Sequence, residues 1–456
     1  AQAFFGGVHP HDMKAATNEK AIEQLAPPAV VVIPMSMHFG APCTPLVKAG
    51  DHVKVGQKIG EFHGLGAPIH ASVSGTVKAV EPRPYSMGGN IMSVVIENDM
   101  QDEVSEEVQA PADPNALSVE EMVEIVKNAG IVGMGGATFP THVKITSGIG
   151  KVNTVIINGA ECEPYITGDH RTMLERPEEI IGGAKFLAKM FGVDKVVIGV
   201  EDNKRNGIDA MNKVIAEQKA PVVVEPLRCR YPQGGEKQLC QAITGRQVPP
   251  GGLPADIGCA VFNINTTCAI YRALTTGMPV VRKIVTVSGS GVVEPKNLEC
   301  PIGTPVSSLL DACGGLKDGT YKLIAGGPMM GMAQYTADIS VAKGTGAILA
   351  FCENEEKTVE NPQCIRCGKC VSVCPMHLEP LFMYQYASKG MVEELNDAHI
   401  MDCMECGACS YICPARMHLT HMFKTGKQLV KDKAAADRAA AEAKKKAEEA
   451  KEAAAK

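Results

Sequence analysis

Two stretches decide how this chain is read: CIRCGKCVSVCP (364–375) and CMECGACSYICP (403–414), each of the form C-x2-C-x2-C-x3-C-P. A cube of four irons and four sulfides needs four thiolates converging from different directions. A tight Gly-containing loop brings three of them to one cube. In two-cluster proteins with this run, the fourth reaches the other cube. Cys364, Cys367, Cys370 and Cys413 are therefore expected to hold one [4Fe–4S] cluster, and Cys403, Cys406, Cys409 and Cys374 a second. Zinc would be served by two Cys pairs and has no use for a third Cys at this spacing.

Outward from the clusters, 456 residues are too many for one core and suggest about three or four domains. Hydrophobic residues make up 45% and charged residues 21%, Trp is absent, and the net charge is −6. That is an ordinary globular balance, and no basic patch suited to phosphates stands out, which argues against nucleic acid as a partner. Seventeen Cys in a long chain with no apparent signal peptide read as a metal protein in a reducing compartment. The cysteines outside the two runs, from Cys43 to Cys352, share no spacing and are expected to be buried, inert thiols. Nowhere do eighteen apolar residues run together, so no membrane span is expected.

The chain changes character along its length. Residues 1–108 are rich in Gly, Pro and Val and are expected to be β structure, with VKAGDHVKVGQKIGEF (47–62) and APIHASVSGTVKAVEP (67–82) as two short β runs and Ser74-Gly75 at a turn. Residues 109–282 alternate helices with buried strands. A helix opening at Ser118 is expected to end at Gly130; strands follow at 153–158, 195–200 and 221–227, separated by helices over 177–192 and 203–218. Apolar runs of strand length between helices predict a parallel α/β layer. Residues 283–351 return to β character, 352–430 carry the cysteine runs, and the tail 431–456 of Ala, Lys and Glu predicts a solvated helix with i,i+4 charge pairs.

The α/β segment must be asked what it binds. The loop AGIVGMGGATFPTHVK (129–144) offers Gly133, Gly135 and Gly136, where bare backbone could approach a phosphate, and Lys144 to balance charge. It is not the strict G-x-G-x-x-G fingerprint. Together with INGAECEPYITGDHR (157–171), YPQGGEKQL (231–239) and FNINTT (262–267), however, it resembles the flavin- and NADH-binding subunit of respiratory complex I. That resemblance implies non-covalent FMN held by Gly133, Gly135, Gly136, Lys144, Asn158 and Asn265. It implies that Phe139, Glu161 and Glu163 face NADH, with Gly235 and Glu236 in the turn beside them. Ala160 and Lys237 depart from the family's acidic residues.

Residues 1–108 resemble a biotinyl/lipoyl-type barrel-sandwich hybrid, without the lysine that carrier domains modify at the tip. Residues 283–351 resemble an SLBB β-grasp domain. With the opening FFGGVHP (4–10), the order of barrel-sandwich hybrid, Rossmann-like α/β flavin domain, β-grasp and helical ferredoxin-like 2[4Fe–4S] module resembles the C subunits of Rnf complexes, which are membrane-associated ferredoxin:NAD+ oxidoreductases. Lys14, just after this motif, is assigned no role.

The resemblance implies NAD(H) as substrate, integral-membrane and iron–sulfur subunits as partners, ferredoxin as an indirect partner, and a peripheral position on the cytoplasmic face of the bacterial inner membrane. Ion translocation would belong to the partner subunits. A flavin takes a hydride and releases electrons singly, which joins NADH to one-electron clusters. This step needs no acid or base, so no catalytic residue is assigned, and His9, His11, His38, His52, His63, His70, His142 and His170 are read as structural or surface groups. A soluble flavin-dependent corrinoid (cobalamin) reductase and a non-enzymatic iron–sulfur relay remain open alternatives.

Overall fold

In the structure, a computed structural model, residues 4–352 and 359–454 are described, with side chains as far as 446. The chain forms two compact units: one of His9–Val248 and Gly252–Glu356, the other of Phe4–Val8, Pro249–Gly251 and Lys357–Lys456.

In the first unit, the α/β segment is built as its apolar runs predict. Strands Thr154–Gly159, Val196–Glu201, Val222–Leu227 and Cys259–Asn263 form one parallel sheet. Numbered in chain order, they lie 3-2-1-4 across the sheet, so the direction of winding reverses between Thr154–Gly159 and Cys259–Asn263. The flanking helices start and stop on local signals. Ser118 caps Val119–Asn128 in a reciprocal box with Glu121. Helix Pro177–Phe191 begins on Pro and ends at left-handed Gly192. Val155, Ile157, Ile180, Leu187 and Ile198 are completely buried between sheet and helices.

The N-terminal β region differs from its expected pattern. The two runs break into four short strands, His52–Val53, Lys58–Glu61, Ile69–His70 and the start of Gly75–Pro84, shared between a four-stranded and a three-stranded sheet. Ser74-Gly75 is not an exposed tip. Gly75 opens a strand paired with Asn98, and Ser74 is buried with its hydroxyl on Asp99. No side chain could swing out from that position.

The β-grasp region forms a mixed six-stranded sheet with helix Val306–Ala312 packed on it; its edge is completed by Glu23–Gln24, parallel to Lys296–Pro301.

The second unit holds the cysteine runs. Short helices Lys369–Ser372 and Ala408–Ile412 follow each run's second Cys, and one helix runs unbroken over Leu419–Ala454. Its first turns bury Leu419, Phe423 and Val430, spaced as one helical stripe, whereas the side chains of 431–446 are exposed. Among the expected i,i+4 pairs, Lys433 meets Asp437 at 2.7 Å; those beyond 446 lie outside the described side chains.

Candidate cofactor sites

The two cysteine runs share one backbone. In each, the residue before the second Cys is left-handed (Arg366, φ 55°; Glu405, φ 56°), and so is the Gly after it (Gly368, φ 76°; Gly407, φ 79°). Two such reversals within three residues coil the loop, so its thiols turn inward. The coils place the predicted ligands in two sets. Cys364, Cys367, Cys370 and Cys413 line one cavity of about 270 Å³, together with Leu381 and Tyr384. Cys374, Cys403, Cys406 and Cys409 line a tighter one of about 20 Å³. Each cavity thus takes three thiols from one run and the fourth from the other.

Backbone N–H groups already point at sulfur: Arg366 to Cys364 at 3.3 Å, Leu378 to Cys374 at 3.4 Å and Glu405 to Cys403 at 3.4 Å. Donors aimed at thiolates are the kind that tune a cluster's potential. Desolvation pushes the Cys406 and Cys409 thiols up to about 12, so the second set is costly to ionise without a metal. Cys364 and Cys367 are exposed, whereas Cys374, Cys406 and Cys409 are buried.

The opening motif belongs with these clusters. Gly6 is left-handed (φ 76°), and a Cβ there would lie 2.7 Å from the Val373 carbonyl oxygen and 2.8 Å from that of Cys374. Gly7 donates its N–H to Val373 O at 2.8 Å, and Phe5 stacks on His377 at 4.4 Å. Phe5, Gly6 and Gly7 of this motif therefore brace the turn that carries Cys374.

In the first unit, loops converge over the carboxyl ends of the parallel strands at the winding reversal, where open α/β sheets bind their ligands. Loop 133–139 is closed by Gly133 N–H on Phe139 O at 2.9 Å. Gly136 has φ 135° and open space beside it, while a Cβ on Gly135 would stand 3.2 Å from Asn263. This loop therefore lies over the end of strand Cys259–Asn263. Asn158, at the end of the neighbouring strand, donates to Gly234 O at 2.8 Å and fixes the 231–236 loop. Gly235 leads into helix Glu236–Thr244, and Lys144 Nζ reaches Glu236 at 2.7 Å and Val261 O at 3.0 Å.

The two glutamates are less available than the resemblance implies. Glu161, itself left-handed (φ 48°), accepts from Asp169 N–H at 2.6 Å and His170 N–H at 3.3 Å, at the start of helix Gly168–Glu175. Burial raises its carboxyl above the usual range against the pull of Lys14. Glu163 accepts from the N–H groups of Met329 and Met330 at 3.1 and 3.0 Å, tying this loop to the β-grasp region, and burial pushes it up to about 7. Asn265 donates to Asp169 at 2.5 Å, beside Asn263 at 2.8 Å. Asp169 thus locks the 161–170 segment to the 263–265 segment. Phe139 lies half-buried at the loop's end.

Three residues at the site escaped sequence reasoning. Lys14 Nζ donates to the carbonyls of Glu161 and Glu163, each at 3.0 Å, and of Ile166, with the Glu161 carboxylate 3.8 Å away. Asp169 is the second. The third is Gln233, 3% exposed, whose side-chain nitrogen lacks a protein partner. Asp169 lies within the 157–171 segment and Gln233 beside the Gly-Gly turn, which are the signals that could have found them; Lys14 follows the FFGGVHP motif, but nothing in the sequence shows what its ammonium meets.

The residues fit the groups expected of them. Two four-thiol sets suit two cubes, while open Gly backbone at a switch point, with Lys144 and an unpartnered amide nearby, suits an anionic flavin nucleotide. Fold and sites together define an iron–sulfur flavoprotein, one component of an oxidoreductase, that carries electrons through FMN and [4Fe–4S] clusters.

Comparison with known proteins agrees. Family models match as the RnfC barrel sandwich hybrid domain (residues 2–101), the Nuo51 FMN-binding domain (126–272), the SLBB domain (284–333) and the 4Fe-4S dicluster domain (356–414). The chain is 45% identical over 401 residues to the C subunit of the Na+-translocating ferredoxin:NAD+ oxidoreductase complex of Acetobacterium woodii, covering 88% of this chain and 90% of that one. It is 43% identical to the proton-translocating counterpart of Clostridium ljungdahlii, covering 87% of each. The chain belongs to the family of Rnf complex C subunits. A crystal structure of the NAD+-reducing [NiFe]-hydrogenase in its H2-reduced state shares the fold, with a TM-score of 0.50 and 18% identity over 70% of this chain and 63% of that one.

Proposed function

We propose that this chain exchanges electrons between NAD(H) and FMN at the winding reversal of its parallel sheet, and passes them singly through the two clusters, as a peripheral subunit on the cytoplasmic face of a bacterial cell membrane. Integral-membrane and iron–sulfur subunits are its partners, with ferredoxin reached through them. The observation that carries this reading is the convergence of loops 133–139, 158–163 and 231–236 over strand ends Asn158-Gly159 and Asn263, next to Lys144. Bound there, FMN would supply the exchange between two-electron and one-electron chemistry.

The chain's own residues bind and orient. Gly133, Gly135 and Gly136 leave room for close approach of a phosphate, Lys144 balances its charge, and Asn158 and Asn265 hold the surrounding loops in register. Lys14 and Asp169 keep the 161–167 loop from collapsing. No helix among the described residues is long and apolar enough to cross a membrane.

Visible spectra of the anaerobically purified protein with FMN added, before and after NADH, test the proposal. Bleaching of both flavin and cluster bands by NADH is expected. Bleaching by dithionite but not by NADH rejects it.

A further inference from the structure

Each carbonyl oxygen from Gly130 to Met134, at the start of the Gly-rich loop, already has a donor. Ile131 O accepts from Thr141 N–H at 3.0 Å and Gly133 O from Thr138 N–H at 3.1 Å. The Thr266 hydroxyl donates to Val132 O at 3.2 Å and accepts from Met134 N–H at 2.9 Å. Gly130 O and Met134 O are taken by two lysines, Lys343 at 2.7 Å and Lys283 at 3.3 Å. The next three N–H groups, of Gly135, Gly136 and Ala137, meet no acceptor among the described residues, and these three residues are exposed. A loop whose carbonyls are tied down while successive N–H groups stay free is suited to an anion.

Both lysines come from the β-grasp region, which holds none of the expected cofactor ligands. Lys283 lies on strand Arg282–Ser288 and is 4% exposed; Lys343 is 1% exposed. Lys343 also donates to Pro68 O at 2.7 Å, so its one amino group joins the barrel-sandwich, α/β and β-grasp regions. The turn that carries it is closed in both directions, Ala342 N–H to Thr345 Oγ1 and Thr345 N–H to Ala342 O, each at 3.0 Å. The Asp169 carboxylate favours the charged form of Lys283. Burying an ammonium group is costly, and a carbonyl can be satisfied by an ordinary backbone N–H. Two such groups behind one short loop therefore point to a task beyond packing.

We propose that Lys283 and Lys343 are positioning residues for the flavin phosphate: they hold the Met134 and Gly130 carbonyls inward, keep the following N–H groups turned outward, and so make the site prefer a phosphorylated flavin. This inference rests on the reading of the site given above. Met134 C=O and Gly135 N–H belong to the same rigid peptide unit and point in opposite directions. Fixing Met134 O through Lys283 therefore aims Gly135 N–H away from the protein interior. Lys343 acts one step further off, by anchoring the loop's entry at Gly130.

The test uses the full-length, cluster-loaded protein freed of flavin and measures, by equilibrium dialysis, the binding of FMN and of riboflavin, which lacks the phosphate. Lys283→Met is expected to weaken FMN about tenfold or more, the low end for a hydrogen bond from a charged group, while riboflavin changes by less than about twofold. Lys343→Met should shift the preference the same way by a smaller factor. Thr345→Val loosens the Lys343 turn without removing a buried charge and should reproduce part of that shift. Leu309→Ala, in the β-grasp core, should lower the melting temperature and leave the preference intact. An unchanged preference in Lys283→Met, or equal weakening of both flavins, overturns the inference while the reading of the site stands. Where the Met variants do not fold, an unchanged preference in Thr345→Val overturns it. Wild-type protein that binds neither flavin overturns that reading and this inference with it.

Discussion

Replacing Lys14 by Met tests how the 161–166 loop is held. The ammonium group has three protons, and the structure gives it three acceptors: the carbonyls of Glu161, Glu163 and Ile166. Burial alone would drive Lys14 toward its neutral form. A neutral amine has only two protons, so the third carbonyl and the Glu161 carboxylate at 3.8 Å favour the charged state. Methionine keeps the stem and removes every donor, in a loop where Glu161 (φ 48°) and Tyr165 (φ 69°) hold backbone conformations that persist only when their surroundings enforce them. Breaking a buried, hydrogen-bonded ion pair on one side costs about 3–5 kcal/mol. Released into local opening, that cost corresponds to amide exchange faster by about two to four powers of ten. Hydrogen–deuterium exchange read by mass spectrometry over peptides spanning 157–171 would show it, with peptides from 30–34 and 90–98 as internal controls. Protection in the loop within about threefold of wild type would refute the role given to Lys14.

Three further outcomes follow from the geometry. Gly6→Ala places a methyl group against the immovable carbonyls of Val373 and Cys374 in a backbone that already disfavours alanine; iron should leave to a chelator several-fold faster than in wild type, and an unchanged rate would contradict the brace. Cys413→Ser lies in the second run but should abolish the cluster of the first, removing about half of the iron while Cys403, Cys406, Cys409 and Cys374 keep theirs; electron paramagnetic resonance of the reduced protein identifies the survivor, and loss of the other signal would reverse the assignment. His70 is buried, and desolvation lowers its pKa from 6.5 to about 3. The unfolded chain therefore binds a proton near pH 6.5 that the folded chain refuses, and stability present above that pH falls toward pH 3 by up to about 1.4 kcal/mol per pH unit. Melting curves of wild type and His70→Gln between pH 7 and 5 should diverge; parallel slopes would count against it.

How much the sequence disclosed depended on whether the signal was local. Strand-length runs such as Val155–Ile157 and the helix start at Ser118 are written within a few residues, and the structure built them where expected. The cysteine runs were legible for the same reason: each is a short local pattern, and the two expected sets each line a cavity of the structure. Ser74-Gly75 misled because turn-forming residues look alike whether exposed or placed at a strand's start, and only pairing with Asn98 distinguishes the two. The roles of Lys14 and Asp169 could not be read because their partners lie across tertiary contacts; Lys14 meets Glu161 from 147 positions away. For Glu161 and Glu163 the sequence could mark the loop but not the direction of each carboxylate, which depends on backbone N–H groups supplied by other elements.

The brace at Gly6 and Gly7 also constrains how the protein is made. The segment that supports the Cys374 turn leaves the ribosome long before the turn itself, because its partner Val373 follows about 370 residues later; at about 5–20 residues per second, that is a wait on the order of half a minute. Throughout that interval Phe5 lacks the His377 ring on which it stacks, and the brace on the Cys374 turn cannot form until both segments are available. Closure of the iron centres therefore comes late in synthesis, and a chain cut short before the first cysteine run leaves Phe5 and Gly7 without His377 and Val373.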